Sequence, residues 1–312
     1  MSDPAASQKT DPMAQLMLEN LPETVEDMRE MLDGFAAMLN GDLPEVGKTH
    51  DGVAISGAGS GVTADIVAPQ GAGPWPVLVY LHGGGWICGS PESHRKLGYR
   101  FAEAGYLVFN IDYRLAPEHP FPAPFDDCVA AIRWVAREAA RYGGDPSRLA
   151  VGGDSAGGNL AAAAAIALAD DPEVRIGAAL LIYGVFDFEQ VGALDPEMVE
   201  ANPGMAEAGE NLVELMVGSY LGPDRLEALM ADPRVSPIHA ADRLPPSYVL
   251  CGGADGLAAQ AEVLAEVLLK ARIPHEKRIV ENMPHGFAQM EFFPQARESI
   301  DQMVAFLGRH LK

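Results

Sequence analysis

Cysteine is scarce in this chain: three in 312 residues, Cys88, Cys128 and Cys251, with no C-x-x-C pair. That count excludes a disulfide framework and gives no metal-like cluster, so reduced thiols are expected, with no metal and no cofactor. Basic residues are also few, 22 Lys and Arg against 44 Asp and Glu, for a formal net charge of −22. A surface of that sign argues against nucleic acid and against anionic membranes as partners, and favours solubility. Long apolar runs are missing too. The richest, Asn159 to Leu168, is mostly alanine and too short for a span, and Met1 to Thr10 is polar where an export signal would need an apolar centre. A cytoplasmic location is the expectation. No internal repeat or low-complexity tract is evident.

What the chain does have is 48% hydrophobic residues, enough for a substantial core in one large domain with an appendage. Apolar strand-like runs near Val77, Leu107, Leu149, Ala179, Tyr248 and Arg278 are separated by helical patterns around Leu97, Ala131, Ala162 and Leu264, with Val304 in a closing helix. This alternation predicts an α/β fold with a mainly parallel sheet flanked by helices. Gly52 to Ser56 and Gly61 to Ala68 predict an antiparallel hairpin at its edge. Thr24 with Asp27 forms a capping-box pattern before Met28, Leu32, Phe35 and Leu39, which recur at helical spacing; Met13, Leu16 and Met17 indicate an earlier short helix. From Phe186 to Ala231 strand signals vanish, and Met198, Met205, Leu212, Leu215, Met216 and Tyr220 accumulate. Methionine adapts to an irregular pocket or fills a core equally well.

Chemistry concentrates in four short motifs. Gly153-Asp154-Ser155-Ala156-Gly157 lies between the apolar run Leu149-Ala150-Val151 and an alanine-rich helical stretch. It reads as a strand, a sharp turn and a helix with Ser155 at the apex, the G-x-S-x-G nucleophile elbow. A serine hydroxyl is a weak nucleophile, so a base and oxyanion donors must be nearby. Val77 to Leu81 runs into His82-Gly83-Gly84-Gly85-Trp86, a glycine loop able to present backbone N–H groups. The candidate base is His285, in a loop just after the strand-like His275 to Val280. His82 belongs to the glycine loop, and His50, His94, His119, His239, His275 and His310 have no comparable position. Its orienting carboxylate is expected at Asp255, past Tyr248 to Cys251 and two glycines, giving the chain order Ser, Asp, His. Asp187, after Ile182-Tyr183-Gly184, is the rival; it ranks second because it precedes the region that reads as a lid.

With these motifs the sequence resembles the bacterial hormone-sensitive-lipase-like esterases of the α/β-hydrolase superfamily, over about Val77 to Lys312. The resemblance rests on His82 to Trp86, on Asp112-Tyr113-Arg114-Leu115-Ala116-Pro117-Glu118-His119-Pro120-Phe121-Pro122, on Gly153 to Gly158, which places the chain in the GDSAG subgroup, and on His285-Gly286-Phe287. It implies an α/β-hydrolase fold with a helical cap. It also implies Ser155 as nucleophile, His285 as general base and acid, Asp255 as its partner, and an oxyanion hole from the N–H groups of Gly84, Gly85 and Ala156, with Gly83 supporting the turn. The activity implied is hydrolysis of short- to medium-chain carboxylic esters, and a homodimer is compatible with it. An amidase or lactonase with the same triad, or a non-catalytic small-ligand receptor on the same scaffold, is the alternative, the latter disfavoured because His285 is present. Cap helices are expected over residues 1–45, the catalytic domain over 46–185 and 232–312, and a second cap segment over 186–231. The Tyr113 to Pro122 stretch is expected to be architectural, with Arg114, Glu118 and His119 satisfying buried loop groups. One departure is Asp255-Gly256-Leu257-Ala258-Ala259-Gln260, where similar proteins carry Asp-Pro-Leu-x-Asp-Glu. Glycine in place of proline leaves the loop less constrained by its own chemistry.

Overall fold

The computed structural model describes residues 22–191 and 203–312; the readings at Met13, Leu16, Met17 and Met198 lie outside them. Chain order runs α1 (Val25–Leu39), β1 (Thr49–Ala54), β2 (Thr63–Val67), β3 (Trp75–Leu81), α2 (Arg95–Glu103), β4 (Leu107–Asp112), α3 (Ala123–Glu138), β5 (Gly144–Asp154), α4 (Ala156–Ala167) and β6 (Ile176–Ile182). It continues through α5 (Pro203–Leu221), α6 (Leu226–Leu229), β7 (Ser247–Gly252), α7 (Ala258–Ala271), β8 (His275–Val280) and α8 (Pro294–His310). Every strand and helix expected between Val77 and Val304 is present. So is the hairpin, its first strand beginning earlier than Gly52.

The eight strands form one sheet in the order β1-β2-β4-β3-β5-β6-β7-β8. β1 pairs antiparallel with β2, and β2 with β4; the pairs from β4 through β3 to β8 are parallel. Strands β3, β4, β6 and β7 are largely apolar, as is β5 from Leu149 to Val151, because helices cover both faces. Helix α4 is buried from Ala156 to Ile166, which explains its alanines: small side chains let a helix that is apolar all round lie close to its neighbours. Among the described residues no helix is long and apolar enough to cross a membrane.

Parallel register brings the loops together. Leu81 of β3 sits beside Gly153 of β5, Asp154 beside Ile182 of β6, Ile182 beside Leu250 of β7, and Gly252 beside Val280 of β8. The glycine loop, the serine turn, the stretch after β7 and the histidine loop therefore emerge along one edge, at the carboxyl ends of the strands, where open α/β sheets place their ligand crevices.

Outside the sheet, α1 starts as expected, with the Thr24 hydroxyl accepting from the Asp27 N–H at 3.1 Å and the Asp27 carboxylate accepting from the Thr24 N–H at 3.0 Å. Its packed side differs from the expected stripe. Val25, Met28 and Ala36 are buried, whereas Phe35 is 43% exposed, because the helix is anchored by a polar residue between them. Arg29 donates to the Ile87 and Ala116 carbonyls at 2.9 and 3.2 Å and bridges both Glu118 carboxylate oxygens.

The Tyr113 to Pro122 stretch divides differently from expectation. Arg114 does bind a buried group, the Asp127 carboxylate, through Nε at 2.7 Å and Nη2 at 2.8 Å, and Asp127 also accepts the Gly59 N–H at 3.0 Å. Glu118 and His119 are exposed; Glu118 serves Arg29, since the loop turns these two side chains outward. Asp127→Ala should therefore cost about 2–4 kcal/mol in urea unfolding, because a guanidinium and two backbone amides, those of Gly59 and Arg114, lose a buried acceptor. A change under about 0.5 kcal/mol, the range of ordinary surface substitutions, would show that this ion pair does not hold the loop.

Candidate active site

Ser155 sits between β5 and α4 at φ 53°, ψ −122°, a conformation L-residues rarely adopt. The turn is held by Ser155 N–H donating to the Ile182 carbonyl at 2.9 Å and by Asn159 N–H donating to the Ser155 carbonyl at 3.1 Å. Gly157 is required by proximity: a Cβ there would strike the Leu81 carbonyl oxygen of the neighbouring strand. The same closeness sets the glycine loop beside the serine.

The His285 Nε2 lies 3.0 Å from the Ser155 Oγ, and its Nδ1 lies 2.8 Å from Asp255 Oδ2. The imidazole is 44% exposed while the Asp255 carboxylate is almost wholly buried. Asp255 Oδ1 accepts the Leu257 N–H at 2.9 Å. Burial opposes charge on both partners, yet their mutual attraction and hydrogen bond raise the His285 pKa and lower that of Asp255. A carboxylate that holds Nδ1–H leaves Nε2 free to take a proton from the hydroxyl.

Tertiary contacts supply the restraint that the Asp255 loop lacks locally. Gly253 N–H donates to the Val280 carbonyl at 2.8 Å and Ala254 N–H to the Met283 carbonyl at 3.0 Å, so the loop after β7 is bonded to the loop that carries His285. Gln260 faces away from this site. Its Oε1 accepts from the Phe186 and Asp187 N–H groups at 2.8 and 2.9 Å. Asp187 in turn caps the next short turn, accepting from the Glu189 N–H at 2.9 Å, and makes no bond to His285.

The glycine loop folds back through Gly84, Gly85 and Trp86, all at positive φ. Ile87 and Cys88 both donate to the Gly84 carbonyl, at 3.1 and 3.0 Å, and a side chain on Gly84 would collide with the Cys88 carbonyl. Gly83 N–H is committed to Asp154 Oδ1 at 3.1 Å. Among the described residues the N–H groups of Gly84 and Gly85 have no protein acceptor, and Ala156 N–H is the first of helix α4. His82 closes the loop from below. It is fully buried, stacked on Tyr113 at 4.2 Å, donates Nδ1–H to the Gly83 carbonyl, and is pushed down to about 3 by burial.

Several further residues border the site. The Tyr183 ring lies 4.9 Å from that of His285, on a backbone held at φ 35°; only its place at the end of β6 could have pointed to it. Trp86 stacks on Tyr220 of α5 at 4.6 Å and meets Phe188 at 5.3 Å, while Met216 packs on Gly85 so closely that a Cβ there would overlap its sulfur. Of the apolar residues that accumulate after Phe186, Met216 and Tyr220 are thus at the glycine loop. His94 and Gln289 reach Asp154. Gln289 falls four residues after His285, the one hint of its position.

A family model described as alpha/beta hydrolase fold matches residues 78–289. Carboxylesterase NlhH of Mycobacterium tuberculosis is 35% identical over 241 residues, covering 76% of this chain and 74% of its own. An ethyl acetate hydrolase of Pseudomonas putida is 34% identical over 241 residues, covering 75% and 73%. Among solved structures, an esterase from the bacterial hormone-sensitive lipase family superposes with a TM-score of 0.76 at 31% identity, covering 98% of this chain and 100% of that one.

Proposed function

The chain belongs to the α/β-hydrolase family, among its hormone-sensitive-lipase-like members, and is a serine carboxylic ester hydrolase; on that premise we propose that Ser155, His285 and Asp255 carry the reaction. The observation supporting this most strongly is the continuous relay from Ser155 Oγ through His285 to Asp255, at 3.0 and 2.8 Å. Ser155 attacks the ester carbonyl carbon as His285 Nε2 takes its proton, and the carbonyl electrons move onto oxygen. The N–H groups of Gly84, Gly85 and Ala156 receive that oxyanion. Collapse expels the alcohol, protonated by His285, and leaves an acyl-serine; water, deprotonated by the same imidazole, then releases the acid.

Substrates are small esters of short to medium acyl length. The packing of Met216 and of the Trp86–Tyr220 stack against the glycine loop supports an apolar, restricted acyl site, and so does the likeness to an ethyl acetate hydrolase. In this reading α1 and the segment 186–231 act as a cap over the catalytic domain. A p-nitrophenyl ester series of graded acyl length, with an anilide and a lactone as controls, tests it; preference for the anilide or the lactone would move the chain to another reaction.

The pH dependence follows from the triad. His285 acts as base only when neutral, and Asp255, assisted by the charge of Asp154, raises its pKa. Activity should therefore be lost as pH falls, with the acid limb of kcat/KM centred above about 6.5, the ordinary imidazole value. A limb centred below that value would contradict the pairing.

A further inference from the structure

Directly behind the serine turn, four separate elements meet at one buried carboxylate. Asp154 accepts from Tyr80 OH of β3 at 2.9 Å, from Gly83 N–H of the glycine loop at 3.1 Å and from the Gln289 side-chain amide at 3.2 Å. The His94 Nε2 lies 3.1 and 3.2 Å from its two oxygens. Gly83 N–H and the Gln289 amide also lie 3.2 and 2.9 Å from that same nitrogen. His94 and Asp154 are both about 2% exposed.

We propose, resting on the assignment of Ser155 and the oxyanion amides above, that His94 and Gln289 are positioning residues for ester hydrolysis: through Asp154 they lock the glycine loop to the serine turn and to the loop that carries His285. The geometry of Ser93 orients His94. The Ser93 hydroxyl donates to the Ser90 carbonyl at 2.8 Å, so its oxygen accepts Nδ1–H of His94 at 2.8 Å. Nε2 is thereby aimed at Asp154, where it either accepts from Gly83 and Gln289 or, as an imidazolium, donates to the carboxylate. In the first arrangement Gly83 N–H is gripped by His94 Nε2 and Asp154 together; in the second it donates to Asp154 alone, and His94 holds that carboxylate in place. Gly83 immediately precedes the two oxyanion glycines, and Asp154 immediately precedes Ser155, so a shift of this cluster moves donors and nucleophile relative to each other. Gln289 adds the third part, two residues beyond Phe287 in the short turn after His285. The cluster also favours the ionised carboxylate: burial works against charge on Asp154, but His94 and Tyr80 hold its pKa below the usual range.

Such a role predicts a loss in transition-state stabilisation rather than in ground-state binding. Gln289→Leu, half-buried and tolerant of an apolar side chain, should lower kcat for p-nitrophenyl butyrate by about tenfold to a hundredfold, part of the effect of one oxyanion donor, with KM within about twofold. It should slow inactivation by a p-nitrophenyl alkylphosphonate in parallel, and leave the urea unfolding midpoint close to wild type. His94→Leu should behave likewise with a larger kcat loss, and His94→Gln, which returns an amide nitrogen near the Nε2 position, should recover most of it. A Gln289→Leu enzyme with kcat within about twofold of wild type, or a loss that His94→Gln fails to recover, would overturn the proposal. Failure of the underlying triad assignment looks different: Ser155→Ala would keep its turnover, whereas failure of the positioning role alone leaves Ser155→Ala inactive beside a near-normal Gln289→Leu.

Discussion

Ser155→Ala is expected to lose ester turnover by about 10⁵- to 10⁶-fold in kcat, the scale on which removal of a serine nucleophile acts when the rest of a triad remains. The fold should persist. The bonds that hold the turn are backbone bonds, from Ser155 N–H to the Ile182 carbonyl and from Asn159 N–H to the Ser155 carbonyl, and alanine supplies both. Alanine is also no worse than serine at φ 53°. Unchanged circular dichroism and urea midpoint, beside turnover reduced to background, is the expected pair of results. Near-full activity in a folded Ser155→Ala protein would remove the acyl-serine mechanism altogether.

The second large effect is expected at Asp255→Asn, a fall of about 10⁴-fold. Asp255 Oδ1 accepts the Leu257 N–H while Oδ2 faces His285 Nδ1, at 2.9 and 2.8 Å. An asparagine that keeps its oxygen on Leu257 turns its amide N–H toward Nδ1. The imidazole must then carry its proton on Nε2, where it confronts the serine hydroxyl and cannot accept from it. The charge that supports the imidazolium is lost as well. Asp187→Asn serves as the comparison: its carboxylate accepts one backbone N–H at 2.9 Å, which an amide oxygen also does. Activity within a few-fold of wild type is expected there, measured as kcat/KM on the same ester. A large loss at Asp187→Asn with little at Asp255→Asn would transfer the orienting role.

The rival aspartates show what separates a local signal from a spatial one. Each follows a strand, and nothing in their immediate neighbours distinguishes them. The difference arises because β7 and β8 are adjacent and in register from Ser247 with His275 to Gly252 with Val280, which joins the Asp255 loop to the His285 loop. The Asp187 loop follows β6 and is drawn instead to Gln260 and Ser236. His94 carries no local mark for the same reason. It lies 60 residues from Asp154 and 195 from Gln289, and no spacing rule links such positions. Phe35 illustrates the opposite error: helical periodicity identified α1 and its capping box, but a guanidinium anchored at Ile87, Ala116 and Glu118 turned the helix so that this ring remained exposed.

Taken alone, the amino-acid order determined the strands, α1 and the helices that flank the sheet, the edge hairpin, the glycine loop and the serine turn, because each depends on side-chain period, helix capping or backbone freedom within a few neighbouring residues. Tertiary structure alone decided which carboxylate reaches His285, how α1 faces the body, and that His94, Gln289 and Tyr80 converge on Asp154. Those outcomes follow from placing β3 beside β5 and β7 beside β8 in parallel register, an arrangement set by the packing of the whole sheet and encoded in no single segment.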